Sequence, residues 1–358
     1  MRHPHYAAPA GLARDLFARA EVVHVAAASP EGRPLLRTVH GVVVGEHLCF
    51  HGADLGEKSA LPGWPVVISA ERIFAEIPSY FVDPERACPA TTYYESAMVE
   101  GTLEAVHDPE LKAQVLSALM ARFQPEGGHR PITATDPLYE NVVRALLILR
   151  IPLEGAVGKI KLGQNRRPAE LHQILGLLWD RGRPGDPEAI TRVLLANQER
   201  LESLPDFLAA PPGVRLLPFL TSEHAAASAQ LLSGQYWTQG LGLEALAQAQ
   251  LGSTAWVGAF EGDRLIGSAR AMSDGARLAW LYDVVVESSF RGRGVGQALV
   301  RLLLDHPAVR GARKVLLGTK DAMPLYQRFG FAEVDSPLST RNGRLMAWTR
   351  PLGSRGSA

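Results

Sequence analysis

The stretch Leu281-Tyr-Asp-Val-Val-Val-Glu-Ser-Ser-Phe-Arg-Gly-Arg-Gly-Val-Gly-Gln-Ala-Leu-Val300 predicts, in turn, a strand, a glycine-rich turn and the start of a helix. Residues 282–286 are apolar and β-branched enough for a buried strand, and the leucines of residues 296–304 recur at helical spacing. The glycines between them allow a sharp turn, so that successive N–H groups and the helix N-terminus can face an anion. The stretch therefore predicts a cradle for a pyrophosphate.

The residues around this turn decide between several phosphate-binding folds. A dinucleotide fold needs a GxGxxG pattern followed by an acidic residue, and a triphosphate loop needs Gly-Lys-Ser/Thr. The sequence instead has Arg-x-x-Gly-x-Gly at residues 291–296, preceded by Asp-Val-Val-Val and followed by Leu317-Gly-Thr-Lys-Asp-Ala-Met-Pro-Leu-Tyr-Gln-Arg-Phe-Gly-Phe331. Over residues 214–351 this arrangement resembles the GNAT acetyltransferases.

The GNAT resemblance implies an acetyl-CoA site and an acetyl transfer to a small-molecule amine. Tyr326 matches the tyrosine that protonates the departing thiolate, and Asp283 is the candidate base or amine-orienting group, with Glu287 and Asp321 as alternatives. Backbone groups of the strand would meet the thioester carbonyl, and the turn would hold the pyrophosphate. The residues expected to bind acetyl-CoA are Val284, Val285, Val286, Arg291, Gly292, Arg293, Gly294, Val295 and Gly296.

Composition limits what the rest of the chain can be. With 358 residues the chain is too long for one ordinary domain and suits two. The formal net charge of +0 does not favour a nucleic-acid partner, and the 2 cysteines exclude a disulfide framework and a Cys-rich zinc site, so no metal is expected. Without a long apolar run or a secretory start, we expect a cytoplasmic protein that does not enter membranes.

The N-terminal half has the alternation of short β-strands. Strands are predicted at residues 22–26, 36–44, 47–50, 66–77, 98–106 and 145–151, with one amphipathic helix at 110–123. Short strands interrupted by a single helix indicate a small barrel and not a parallel α/β sheet.

Three stretches give this half a family resemblance. They are Phe50-His-Gly-Ala-Asp-Leu-Gly-Glu-Lys-Ser-Ala-Leu61, Cys88-Pro-Ala-Thr-Thr-Tyr-Tyr-Glu-Ser96 and Gly158-Lys-Ile-Lys-Leu-Gly-Gln-Asn-Arg166. Together they resemble the FMN-binding split β-barrels related to pyridoxamine 5'-phosphate oxidase, in the branch of nitroimidazole-resistance reductases and FMN-binding negative regulators. The resemblance covers residues 10–168 and implies a homodimer with FMN at the subunit interface.

A flavin phosphate needs cations and small residues that allow close approach, and Lys58 with Ser59 supplies them at the end of a strand. The resemblance implies that Arg37, Thr38 and Val39 border the flavin and that His51 lies near its ring. Weaker matches are Glu95, Ser96, Lys161, Gln164 and Asn165. Haem, held by a histidine, is the alternative cofactor.

The predicted fold class is α+β, with a split β-barrel followed by a GNAT domain that has a mixed central sheet. The expected boundaries are 1–168 for the barrel, 169–212 for a helical connection and Pro-rich linker, 213–352 for the GNAT domain and 353–358 for a flexible tail. The predicted function is bifunctional: flavin redox chemistry and N-acetylation. The alternative is a flavin- or haem-binding sensor with an appended acetyltransferase.

Overall fold

The computed structural model describes residues 4–53, 57–335 and 343–350 of the chain. These residues form two compact units. The first combines the residues up to Ile73 with Thr92–Gln164, and the second combines Phe74–Thr91 with the residues from Asn165 onward. The predicted tail, 353–358, lies outside the described residues.

The first unit is made of nine strands and three helices among its described residues, although the end of β5 and the first residue of β6 fall in the second unit. In chain order they are α1 (Leu12–Arg19), β1 (Val23–Ala28), β2 (Pro34–Val39), β3 (Val42–Val44), β4 (His47–Gly52), β5 (Pro65–Ile77), β6 (Thr91–Thr102), β7 (Glu104–Val106), α2 (Pro109–Phe123), α3 (Glu140–Ala145), β8 (Leu147–Pro152) and β9 (Val157–Lys161).

Two sheets enclose the core of the first unit. One has the strand order β2-β1-β5-β6-β9 and the other β3-β4-β8-β7. Side chains from both sheets and from α1 form one buried cluster, which includes Phe17, Phe50 and Ile68. These antiparallel, barrel-like sheets confirm the predicted fold class of the N-terminal half.

Two predicted strands are each divided between the sheets. The predicted strand 36–44 is broken into β2 and β3, and the predicted strand 98–106 into β6 and β7. Close packing explains the first corner, because a β-carbon at Gly41 would lie 3.0 Å from Leu48 and 3.3 Å from Val23. At the second corner Leu103 is buried between the two strands. The chain bends where only glycine or a core residue fits.

Helix α2 lies where the apolar periodicity predicted it. Its start is fixed by Pro109 in the first turn and by the Asp108 carboxylate, which accepts a hydrogen bond from the Glu110 N–H at 3.0 Å. Val115 and Leu119 are buried as expected. Lys112 is buried too, and its ammonium donates to the Leu146 carbonyl at 2.7 Å, so it anchors the helix to the chain before β8.

The second unit contains seven helices and seven strands among its described residues. They are α4 (Pro168–Arg181), α5 (Asp186–Ala196), β10 (Arg215–Leu217), α6 (Ala225–Leu232), α7 (Leu243–Leu251), β11 (Ala255–Glu261), β12 (Arg264–Ser273), β13 (Leu278–Val286), α8 (Val295–Asp305), α9 (Pro307–Arg310), β14 (Lys314–Thr319), α10 (Met323–Gln327), β15 (Ala332–Glu333) and β16 (Arg344–Thr349).

A seven-stranded mixed sheet organises the second unit, in the order β10-β11-β12-β13-β14-β16-β15. Strands β10 to β13 are antiparallel neighbours, whereas β13 and β14 run parallel. Helix α8 provides the crossover between those two strands and buries Leu299 and Leu303 completely. The mixed sheet confirms the fold class predicted for this half.

The connecting helices α4 and α5 are an integral part of the second unit. Trp179 of α4 donates its indole N–H to Asp305 at 2.6 Å and stacks on Phe207 with 4.3 Å between ring centroids. Helix α5 ends at Ala196, because the Asn197 side-chain amide donates back to the Val193 carbonyl at 2.9 Å.

Candidate functional site

The glycine-rich turn joins β13 to α8 through a short 3₁₀ turn at Ser288–Phe290. Gly292 and Gly294 have φ values of 75° and 86°, in the region that residues with a β-carbon avoid. Gly294 is also the residue that precedes the first turn of α8. The N–H groups at a helix start have no partner within the helix, so the turn presents open donors at the positive end of the helix dipole.

The two arginines of the turn are held against the end of β13. Arg291 donates its Nε–H to the Val286 carbonyl at 3.0 Å. The Arg293 guanidinium lies over the ring of the buried Phe290, with 4.7 Å to the centroid. Val295 is buried at the start of α8. The structure thus brings the predicted turn residues together around one backbone bend.

Strand β13 separates from β14 beside this turn. Their described pairing ends at Trp280 and Leu316, although both strands continue. The Glu287 N–H bonds to the Ile266 carbonyl on the β12 side at 2.8 Å. Because successive N–H groups of a strand point in opposite directions, the Val286 N–H faces the opened side. Residues 284–286 therefore border a wedge in which a thioester carbonyl could accept a backbone hydrogen bond.

Tyr326 is buried on the short helix α10, which follows β14. Burial raises the pKa of its hydroxyl far above the usual value, and Tyr236 and Asp321 raise it further. The hydroxyl is consequently protonated throughout the neutral range, as a general acid must be.

Tyr236 is a neighbour of this site that the sequence did not reveal. Its hydroxyl accepts a hydrogen bond from the Lys320 N–H at 2.9 Å and donates to Asp321 at 3.4 Å. It precedes α7, far in sequence from the residues that it contacts, and no local pattern distinguishes it from a packed tyrosine.

Asp283 lies within β13, and its carboxylate has two partners. Oδ2 accepts from the Arg270 Nε–H at 2.5 Å and from the Gln250 side-chain amide at 3.2 Å. Of the alternatives, Glu287 pairs with Arg264 at 2.6 Å, which lowers its pKa together with a bond from Ser289. Gln250 and Arg270 were not anticipated, because only the tertiary fold places them beside Asp283.

In the first unit, basic groups gather around His51. The pKa of His51 is lowered by burial and by the positive charges of Lys58 and His40. Gly52 permits this arrangement, because a β-carbon there would lie 2.9 Å from the Lys58 side chain. A cluster of basic groups suits an anion such as a phosphate, so the surroundings of Lys58 suit the FMN phosphate predicted there, while His51 stays the residue predicted near the flavin ring. Ser59 lies in the same 3₁₀ turn as Lys58, and Gly56 lies outside the described residues.

The predicted strand residues Arg37, Thr38 and Val39 all lie at the end of β2. Arg37 donates to the Leu36 carbonyl at 2.7 Å, and Val39 is buried in the core. The Thr38 hydroxyl lies 3.3 Å from His24 Nδ1 on β1. The face of β2 that carries Thr38 is therefore the face that a ligand could approach.

The weaker predicted residues divide into two groups. Ser96 pairs across β6 and β9 with Lys159, and Lys161 lies next to Tyr94, with 5.9 Å from Nζ to the ring centroid. By contrast, two have internal roles: Glu95 is buried beside Arg19 at 3.5 Å, and Gln164 braces its own turn by accepting from the Leu162 N–H at 2.7 Å. Asn165 is exposed and is the first residue of this part of the second unit.

Among the described residues, no helix is long and apolar enough to cross a bilayer. Within the same residues, no group of three or more His, Cys, Asp or Glu side chains could hold a metal ion.

Comparison with known families gives a match for each half. Residues 11–160 match the family model described as pyridoxamine 5'-phosphate oxidase, and residues 223–331 match the model described as acetyltransferase (GNAT) family.

Individual relatives and solved structures each match part of the chain. A mycothiol acetyltransferase of Corynebacterium glutamicum is 36% identical over 22% of this chain and 28% of its own length. A glucosamine 6-phosphate N-acetyltransferase of Trypanosoma brucei brucei is 35% identical over 19% of this chain and 51% of its own. The solved FAD and haem binding protein of Mycobacterium smegmatis is 22% identical over 43% of this chain and 72% of its own, with a TM-score of 0.37. The chain thus spans between about a quarter and half of these curated relatives.

Proposed function

The chain joins a domain of the pyridoxamine 5'-phosphate oxidase-like family to a domain of the GNAT family, and from this premise we propose a bifunctional enzyme. The second unit transfers an acetyl group from acetyl-CoA to a small-molecule amine. The first binds FMN and carries out flavin redox chemistry. The observation that carries the acetyltransferase proposal is the turn with two left-handed glycines at the start of α8, beside the opened edge of β13.

The acetyl transfer follows from the groups around this wedge. The neutral amine attacks the thioester carbonyl, whose oxygen is stabilised by the backbone N–H of Val286 on the opened side of β13. When the C–S bond breaks, the Tyr326 hydroxyl gives its proton to the CoA sulfur. Asp321, whose charge reaches Tyr326, is the carboxylate that we assign to the amine proton. Asp283 is not assigned this role, because its carboxylate already accepts hydrogen bonds from Arg270 and Gln250.

The test of this proposal is the release of CoA thiol from acetyl-CoA in the presence of a panel of primary amines. Tyr326→Phe should lower kcat by roughly 10²-fold or more, while the Kd of acetyl-CoA changes little, because the hydroxyl acts only as the bond to sulfur breaks. Tyr139→Phe is the matched control, since the Tyr139 hydroxyl donates to the Arg130 carbonyl in the first unit. Unchanged turnover of Tyr326→Phe would remove the tyrosine from the mechanism.

For the first unit, we assign the FMN phosphate to Lys58 and Ser59, and the flavin ring to the border formed by Arg37, Thr38 and Val39 of β2 and to His51. Bound FMN would supply hydride or electron transfer. The cluster of basic groups around His51 supports this assignment. Lys161 and Ser96 are assigned to the border of the same site, while Glu95 and Gln164 support it from within the fold.

A comparison of FMN with riboflavin, which lacks the phosphate, tests the assignment. The protein should bind FMN more tightly than riboflavin, and Lys58→Ala should reduce this preference by about tenfold through the loss of one charged hydrogen bond. Lys314→Ala, on an exposed residue of the second unit, is the control. Titration followed by flavin fluorescence measures both affinities. Equal binding of both flavins would contradict the phosphate site, and a Soret band in the purified protein would assign the unit to haem.

We further propose that the protein is a cytoplasmic homodimer associated through the first unit. The free thiols of Cys49 and Cys88 support a reducing compartment. The exposed apolar side chains of the five-stranded sheet, such as Leu36 and Met98, support the dimer.

A further inference from the structure

Asp283 has an unusual backbone. Among the described residues it is the only one other than glycine with a positive φ, which is 53°. The pairing of β12 with β13 shifts at the same place: Arg270 pairs with Tyr282, and Ser268 pairs with Val285. Asp283 and Val284 therefore stand opposite Ala269 alone, which makes a β-bulge.

Three side chains fix this bulge. Asp283 Oδ2 accepts hydrogen bonds from Arg270 on β12 and from Gln250 on α7. The side chains of Arg270 and Asp283 are only 14% and 9% exposed, and Gln250 is buried. The Arg270 guanidinium also lies over the Tyr282 ring, with 4.7 Å to the centroid. The carboxylate is thus tied to both elements that flank the bulge.

The bulge lies where it can affect the geometry of the candidate site. It lies just before Val286, whose N–H faces the wedge between β13 and β14, and a bulge changes the direction of the strand that follows. A left-handed conformation is unfavourable for residues with a β-carbon, and aspartate and asparagine tolerate it best. The side-chain bonds of Asp283 therefore hold in place a backbone that would otherwise relax.

We propose that Arg270, Asp283 and Gln250 form a clamp that fixes the bulge and thereby aims the Val286 N–H at the thioester carbonyl. Asp283 is then a positioning residue, whose carboxylate is held by Arg270 and Gln250 and is not the base for the amine. This inference rests on the proposed acetyltransferase function of the second unit.

Calorimetric titration with acetyl-CoA and with CoA tests the clamp without knowledge of the acceptor. Only acetyl-CoA has the thioester carbonyl, so the ratio of the two affinities reports the bond to the strand. Asp283→Ala should bind CoA as the wild type does but lose about fivefold in this ratio, which is the size of one hydrogen bond. Asp283→Asn should keep the ratio, because asparagine adopts a positive φ and its amide oxygen can accept from both partners.

The matched control is Asp274→Ala in the turn between β12 and β13. The Asp274 carboxylate accepts from the N–H groups of Ala276, Arg277 and Leu278, so its loss weakens the same hairpin without touching the bulge. The affinity ratio of this variant should equal that of the wild type.

Three results would overturn the clamp: a wild-type protein that binds acetyl-CoA and CoA equally, an unchanged ratio in Asp283→Ala, or an Asp283→Asn variant as impaired as Asp283→Ala. A wild-type protein that binds neither compound would instead remove the proposed acetyltransferase function, so the two failures are distinguishable.

Discussion

His306 is a single side chain whose burial makes the second unit sensitive to pH. Its ring is 4% exposed, and Nδ1 accepts from the Ala308 N–H at 3.2 Å, which caps the start of α9. Burial lowers the pKa of His306 to about 4; the Pro218 carbonyl opposes this shift, and Arg310 adds to it.

Between pH 6.5 and about pH 4 this histidine is protonated in the unfolded chain but neutral in the folded protein. It therefore lowers the free energy of unfolding as the pH falls through that range. The loss is about 1.4 kcal/mol per pH unit, or roughly 2 kcal/mol between pH 6.5 and pH 5. His306→Asn keeps an acceptor for the cap and removes the titration. Urea unfolding followed by tryptophan fluorescence should show a shallower pH dependence for this variant. Identical dependences would contradict the assignment.

Some residues of the candidate site could be predicted from the sequence, and others could not. Tyr326 and the turn glycines were predicted from a local motif, because their spacing along the chain is itself the signal. Gln250 and Arg270 could not be, since their meeting with Asp283 depends on how α7 and β12 pack around β13. The sequence around a single glutamine in a helix does not indicate whether its side chain is a buried hydrogen-bond partner or exposed to solvent.

At the scale of elements, the glycine turn before α8 combines backbone conformation with ligand binding. Gly294 has a φ of 86°, and a β-carbon there would lie 3.5 Å from Pro211. The fit leaves room for a methyl group, so conformation and not space requires glycine at this position.

Gly294→Ala should lower the free energy of unfolding by about 1–2 kcal/mol, because alanine is strained in the left-handed region. It should also weaken acetyl-CoA binding by roughly tenfold as the turn relaxes away from the pyrophosphate. Gly262→Ala is the control: Gly262 has a φ of 59° in the turn between β11 and β12, with open space around it. Calorimetry should find normal acetyl-CoA affinity in that variant despite a similar loss of stability. Equal affinities in both variants would show that the turn does not bind the ligand.

At the scale of the whole molecule, the five-stranded sheet of the first unit exposes large apolar side chains. Leu36 and Val67 both pair with Ala26, and Met98 pairs with Val157. Their exposures are 62% for Leu36, 36% for Val67, 37% for Met98 and 50% for Val157. Their neighbours along the strands, such as Ile68 and Val99, are in the core, so these four side chains lie on the face turned away from it. Such a face is typical of an interface.

Leu36→Glu combined with Met98→Glu should convert the proposed dimer into a monomer, because it would bury like charges in the interface. Sedimentation velocity measures the change. Val142→Glu, on an exposed residue of α3, is the control and should leave the dimer intact. A wild-type protein that sediments as a monomer would remove the dimer proposal, and an unaffected double variant would move the interface to another surface.

The sequence by itself determined the fold class of both halves, the glycine turn and most of the elements, because these depend on periodicity and on short motifs along the chain. Only the tertiary structure decided where single predicted strands divide between two sheets, as at Gly41 and Leu103, and which side chains meet at Asp283. A strand bends into a corner where the packing of distant strands leaves no room for a further side chain. An ion pair forms where two elements bring opposite charges together. Both conditions depend on residues that are distant in the sequence, so local sequence patterns do not predict them.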